Sequence, residues 1–288
     1  MDLHANYQRT TNPCKIDNWR LVKGFNLRTF YRGHCIPRRH LGTRSTSPFL
    51  KRVSVDNLKL TLQQANKHDV AVGHAAYARY NRIITLMATQ TGATPRTAAA
   101  VFSALSPNND YFGNLRDAHT LLRAAAQGRT LGDFKVSTYG HNKRKAWAIA
   151  HGIEPLEVIV APKTRSFFLN VADPNDPQPV TIDGHMYNIW SNKRQNLVGL
   201  KWRKSQYEEI AEDVRKLARE QGCVPCQMQA ILWHTWRRIH RIKTTAQLSL
   251  WDEDLMAAQL GAHPYQPCPP PVPPAHGCNP SSNGCAHL

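Results

Sequence analysis

The sequence predicts a mainly α-helical protein, and three features point that way. Apolar residues recur at helical spacing, as in Tyr80, Ile83, Ile84, Met87 and Ala88 and again in Tyr207, Ile210, Val214 and Leu217. Helix-start signals precede such runs: Thr94 suits an N-cap and Pro95 the first helical position. Breakers then close them, with Ser106-Pro107-Asn108-Asn109-Asp110 after Leu105 and Gly222 after Gln221.

The totals bound the class of molecule. A chain of 288 residues supports one large or two modest domains with a real core. A formal charge of +17 and a pI near 9.9 call for a polyanionic partner, most plainly nucleic acid, with a membrane surface as the other reading. No apolar run approaches the roughly 18–20 residues that span a bilayer, and the opening MDLHANYQRTTNPCK has no apolar signal core. Seven Cys at irregular spacings argue against a disulfide framework and for a reducing compartment. A cytoplasmic monomer associated with DNA, with no membrane partner, is the expectation.

Residues 1–52 carry 11 Lys/Arg against Asp2 and Asp17 and read as a basic arm. Arg38, Arg39, His40, Arg44, Lys51 and Arg52 would suit a phosphate backbone, and a leader without a specific role is the alternative. Trp19, Phe25, Phe30 and Tyr31 suggest that part of the arm packs on the body. A helical body follows over 53–245. Helices are expected at 53–64, 76–91 and 94–105, at 115–126 with Leu121 and Leu122 inside, and at 143–151 after a loop from Phe134 to Asn142. Further helices are expected behind Pro162 and behind Asp183, then at 207–221 and 227–242. The last should turn Met228, Ile231, Leu232, Trp236 and Ile239 inward and Arg237, Arg238, His240 and Arg241 outward. Residues 246–288 read as a linker and a disordered tail, because 261–288 holds eight Pro and no Lys, Arg, Asp or Glu.

Two ionisable residues stand out in Leu156–Trp190. Lys163 follows Ala161-Pro162 at the start of an apolar helix-like run through Phe167, Phe168, Leu169 and Val171. Asp183 follows Val180-Thr181-Ile182 where an N-cap would sit, at the positive end of a helix. Alone, Asp183 is an ordinary cap and Lys163 a solvated lysine; the two stand 20 positions apart, with His185 close behind Asp183. The stretch resembles the helix-hairpin-helix DNA glycosylase superfamily, in which a hairpin carries a catalytic Lys and a V-D-x-H segment some way on carries the catalytic Asp. The matching residues are Lys163 in Pro162-Lys163-Thr164 and Asp183 in Ile182-Asp183-Gly184-His185. Ile159-Val160-Ala161-Pro162 departs from the Gly-x-Gly that usually precedes the Lys. Leu105-Ser106-Pro107-Asn108 is similar to the family's L-S-x-Q, and Lys145-Ala146-Trp147-Ala148-Ile149 to its K-A-x-x-I helix.

The resemblance implies a two-lobed all-helical body, with the hairpin near 156–170 and the catalytic segment at 180–190. It implies a double-stranded DNA partner with one nucleotide flipped out, and excision of a modified or damaged base. Asp183 would stabilise positive charge developing on the sugar, and Lys163 could form a Schiff base and cleave the strand. Asn108, Asn109, Asn114, Tyr139, His141, Thr164, Arg165 and His185 are the expected DNA- or base-binding residues, although for any single Asn and for Tyr139 a turn-forming or surface role is the reading that comes first. The departing hairpin, the arm and the tail favour an outlying, phage-related member acting on hypermodified bases. A same-fold enzyme that alters a base without excising it, or a silent DNA-binding module, are the alternatives. No cofactor or metal is expected: Cys223-x-x-Cys226 has no second C-x-x-C, and Cys268, Cys278 and Cys285 are widely spaced.

Overall fold

The computed structural model describes residues 48–196 and 203–242, with side chains from residue 55 onward. The basic arm up to residue 47, residues 197–202, and the tail from residue 243 with its three Cys lie outside the described residues. What is described falls within the unit Thr46–Leu288. It is helical: α1 (Pro48–Leu62), α2 (Lys67–Thr91), α3 (Pro95–Leu105), α4 (Tyr111–Ala126), α5 (Gly140–Ala150), α6 (Pro155–Val158), α7 (Pro162–Ala172), α8 (Gly184–Ser191), α9 (Lys204–Gln221) and α10 (Pro225–Ile239). No strand occurs among the described residues.

Local chemistry accounts for most boundaries. Thr94 accepts from Thr97 N at 3.0 Å and caps α3. Pro162 and Pro225 occupy first-turn positions, where the missing N–H costs no helical bond. Gly222 closes α9 at φ +66°, a conformation that glycine adopts without a Cβ penalty. Six helices, α1, α2, α4, α5, α9 and α10, start earlier than expected. In α2, Asn66 and Asp69 form a reciprocal cap, Asp69 N donating to Asn66 Oδ1 at 2.9 Å and Asn66 N to Asp69 Oδ2 at 3.0 Å, so the polar first turn is helical. Asp110 accepts from Gly113 N at 2.9 Å and starts α4 before its apolar run. α5 begins at Gly140, inside the expected loop.

Buried side chains form two clusters. The first surrounds α3, whose residues from Ala98 to Leu105 are all buried, and draws on α2, α4, α5 and α7 through Ile84, Leu121, Ile149 and Phe168. The second joins α1, α8, α9 and α10 through Leu58, Ile182, Met186, Ile210, Leu217 and Leu232. Helix α10 serves both, with Cys226 and Ala230 in the first and Met228, Leu232 and Trp236 in the second. It runs against α2 at a close approach: a Cβ on Gly73 would lie 2.5 Å from Ile231 Cγ1 and 2.6 Å from Ile231 N. Beside this contact Tyr77 donates its hydroxyl to Gln229 Oε1 at 2.8 Å.

The hairpin region is a short helix, α6, a turn at 159–161, and α7. Ile159 is buried in the first cluster while Val160 is 62% exposed at the turn. Asn81 of α2 donates to the Val171 and Ala172 carbonyls at 2.9 and 3.1 Å, satisfying the far end of α7.

Candidate active site

Asp183 is the N-cap of α8 and is half-buried. Its Oδ1 accepts from Met186 N at 2.9 Å, and its Oδ2 accepts from Trp233 Nε1 at 2.8 Å. Each carboxylate oxygen is thus oriented by one donor and keeps further acceptor capacity toward the outside. The segment that delivers Asp183 is held by one side chain of α9. The buried Tyr207 hydroxyl accepts from Ile182 N at 3.1 Å and donates to the Val180 carbonyl at 2.8 Å. The Pro162 carbonyl, next to Lys163, lies 3.4 Å from the same oxygen. Asn170 of α7 donates to Thr181 Oγ1 at 2.9 Å, a second tie between the hairpin helix and this segment.

Lys163 stands in the first turn of α7 and is exposed, so burial does not set it apart from other surface lysines. No ion pair joins it to a carboxylate among the described residues. α7 has no side-chain N-cap, which leaves first-turn N–H groups open beside Lys163, Thr164 and Arg165. Thr164 is half-buried and Arg165 exposed.

His185 connects the two ends. Burial lowers its pKa, Asp183 opposes that shift, and the charges of Arg237 and Lys163 reinforce it. Its Nδ1 is enclosed and has no hydrogen-bond partner. Its ring meets Trp233 edge-on at 6.0 Å. The guanidinium of Arg237 lies over the same indole, 4.2 Å from the centroid. Asp183, Lys163, His185, Trp233 and Arg237 therefore form one neighbourhood at the starts of α7 and α8 and along α10.

The remaining expected residues divide. Asn108, Tyr139 and His141 come together at the surface: Asn108 Nδ2 donates to the Tyr139 hydroxyl at 3.0 Å, and Tyr139 stacks on His141 at 5.6 Å and 12°. Asn108 has φ +57°, and Tyr139 is 56% exposed. Asp117 clamps the loops beneath, accepting from Asn109 Nδ2 at 2.8 Å and Ser137 N at 2.7 Å. Asn109 is thus a loop tie rather than a free base-binding amide. Asn114 departs further from expectation. It is 3% exposed and donates to the Phe102 carbonyl at 3.0 Å, so its position in α4 turns it toward α3 and away from any ligand. Lys143 is half-buried, with Nζ donating to the Leu131 carbonyl at 2.7 Å and to that of Phe134.

Three site residues escaped the sequence. Trp233 and Arg237 are one helical turn apart on α10, and periodicity assigned Arg237 to solvent. Tyr207 was recognised as inward-facing, but not as the hydroxyl between the Pro162–Lys163 turn and the segment ending in Asp183. The pattern Trp233-x-x-x-Arg237 was the only signal available.

Among the described residues, Cys223 and Cys226 are free thiols. Burial pushes Cys223 up to about 11 and Cys226 up to about 12, and Cys226 Sγ donates to the Pro174 carbonyl at 3.2 Å. A surface cavity of about 610 Å³ lies elsewhere, lined by His74, Gln178, Glu212, Arg215, Cys223 and Gln227 among others, and its Arg215 is already paired with Glu212 at 3.0 Å. No helix among the described residues is long and apolar enough to cross a membrane.

Comparison with curated proteins and with solved structures returns no match. A model of the family of unknown function DUF7178 matches residues 41–240, a span that contains all ten helices, and the chain belongs to that family.

Proposed function

We propose that this protein is a DNA base-excision enzyme of the helix-hairpin-helix type, with Asp183 as the catalytic carboxylate and Lys163 as an accessory amine. The observation that carries it is the Tyr207 hydroxyl, which bonds the segment ending in Asp183 and approaches the carbonyl next to Lys163. Two residues that are 20 apart in sequence and matched to a catalytic motif share one anchor.

The chemistry follows from the donors and acceptors present. Cleavage of an N-glycosidic bond develops positive charge on the sugar. A carboxylate held at a fixed angle by Met186 N and Trp233 Nε1 stabilises that charge without having to reorganise. It can equally accept the proton of an attacking water. The open first turn of α7, with Lys163 and Arg165 beside it, suits a phosphate of the strand carrying the flipped nucleotide. Buried side chains fall into two clusters, and Lys163 and Asp183 belong to helices of different clusters. The exposed Asn108–Tyr139–His141 group offers a stacking surface for the duplex.

The test is incubation of wild type and Asp183→Asn with two DNAs, one damaged and one phage-derived and hypermodified. Released bases are read by mass spectrometry and abasic sites by an aldehyde-reactive probe. Release by wild type, lost in Asp183→Asn, is expected, and the DNA that responds names the substrate class. A base changed in mass but still attached would indicate modification without excision. Binding without either outcome would leave a DNA-binding module and overturn the proposal.

A further inference from the structure

A half-buried arginine with no protein acceptor among the described residues stands beside the proposed catalytic carboxylate. Arg237 rests its guanidinium on Trp233, the residue whose Nε1 donates to Asp183. Burial costs the charge something, since it lowers the pKa of Arg237, while Asp183 and Tyr80 act on it in the opposite direction. Arg237 nonetheless donates to no protein group among the described residues. Its neighbour Arg238 differs, with Nε on Asp69 Oδ2 at 2.8 Å and a second bond to the Gln64 carbonyl. A guanidinium seated on an indole face is fixed in place and retains its forked donors for another partner.

The surroundings indicate what that partner is. Tyr80, which shares the electrostatic neighbourhood of Arg237, belongs to a group of half-buried rings, 5.3 Å from Tyr111 and 6.0 Å from Phe167. Aromatic faces of this kind stack on a base. A phosphate would be expected at the exposed first turn of α7 instead. The fork of an arginine matches two coplanar acceptors.

We propose that Arg237 is the base-reading residue of this site, taking a coplanar pair of acceptor atoms on the extruded base, either the O6/N7 edge of a guanine or the carboxylate of a modified base. This assignment rests on the base-excision reading above.

The experiment measures binding by fluorescence anisotropy with Asp183→Asn as the parent, alone and combined with Arg237→Met or Arg237→Lys. The probes are duplexes with one extrudable nucleotide opposite an abasic site: guanine against 7-deazaguanine, and 5-carboxycytosine against cytosine. The parent is expected to prefer one member of a pair by about tenfold, the scale of a bidentate base contact. Both Arg237 variants should lose that preference, Lys included, because it keeps the charge but lacks the fork. The pair that responds identifies the source of the acceptors. Three results would overturn the assignment: no preference in either pair, a preference that survives Arg237→Met, or a uniform loss on all four duplexes with the salt slope reduced by about one, the mark of a phosphate contact. Failure of the excision reading is seen separately, as no base release by wild type. Helical circular dichroism of each variant confirms that binding is compared between folded proteins.

Discussion

Replacing Tyr207 by Phe removes one oxygen from a fully enclosed position. Tyr207 is 3% exposed, and the groups it serves are equally hidden, Val180 at 1% and Ile182 at 0%. Without the hydroxyl, the Ile182 N–H and the Val180 carbonyl lose their partner. Two hydrogen bonds of about 1 kcal/mol each are forfeited, and a buried orphan adds at least about 1 kcal/mol, so a destabilisation of about 3 kcal/mol is expected. For a body of this size that corresponds to a fall in Tm of about 6–12 °C. The assay is urea and thermal unfolding followed by circular dichroism, with Tyr139→Phe as the control. Tyr139 is 56% exposed and its hydroxyl accepts a single bond from Asn108, so the same chemical change there should cost less than about 0.5 kcal/mol. Base release should also slow in Tyr207→Phe, through kcat rather than KM, because the Asp183 segment loses its anchor. Equal, small shifts in both variants would refute the view that Tyr207 holds the catalytic segment.

Other outcomes follow from the same contacts. Gly73→Ala places a methyl 2.5–2.7 Å from Ile231 Cγ1, N and Cα, and the backbone atoms among these cannot yield. The strain of about 1–3 kcal/mol should exceed the gain in helix propensity, and a raised Tm would contradict the close approach of α2 and α10. His234 has its pKa lowered to about 4 by burial, with Arg237 and His68 adding to the shift. A depressed folded pKa means that its contribution is complete above the unfolded value near 6.5 and is lost as pH falls toward 4. Wild type should therefore lose about 2–3 kcal/mol more than His234→Gln between pH 7.5 and 4.5 in urea titrations, and parallel losses would sink this account. Lys163→Ala should leave stability within about 0.5 kcal/mol, the side chain being exposed, yet abolish borohydride trapping on a responsive DNA. Trapping that persists would exclude Lys163 as the Schiff-base amine.

Several helix boundaries and the positions of Asp183 and Lys163 at helix starts were legible because their causes are local. Thr94, Pro95, Pro162, Asp183 and Gly222 act on N–H or carbonyl groups within a turn of themselves, so neighbours in sequence suffice to recognise them. The early start of α2 was hidden because Lys67-His68-Asp69 carries no apolar periodicity, although the Asn66–Asp69 cap is itself a local signal.

The site divides along the same line. Asp183 as a cap and Lys163 in a first turn depend on chain neighbours alone, and residue order was enough to nominate both. Which groups surround them depends on where α9 and α10 cross α7 and α8. Periodicity allots a helix one apolar and one solvated face, but α10 lies between two clusters, so the flank bearing Trp233 and Arg237 faces Asp183 rather than water. The burial of Asn114 against Phe102 and the reach of Tyr207 to Ile182 are contacts of the same kind. They join residues on different elements, and their geometry exists only once both elements have packed.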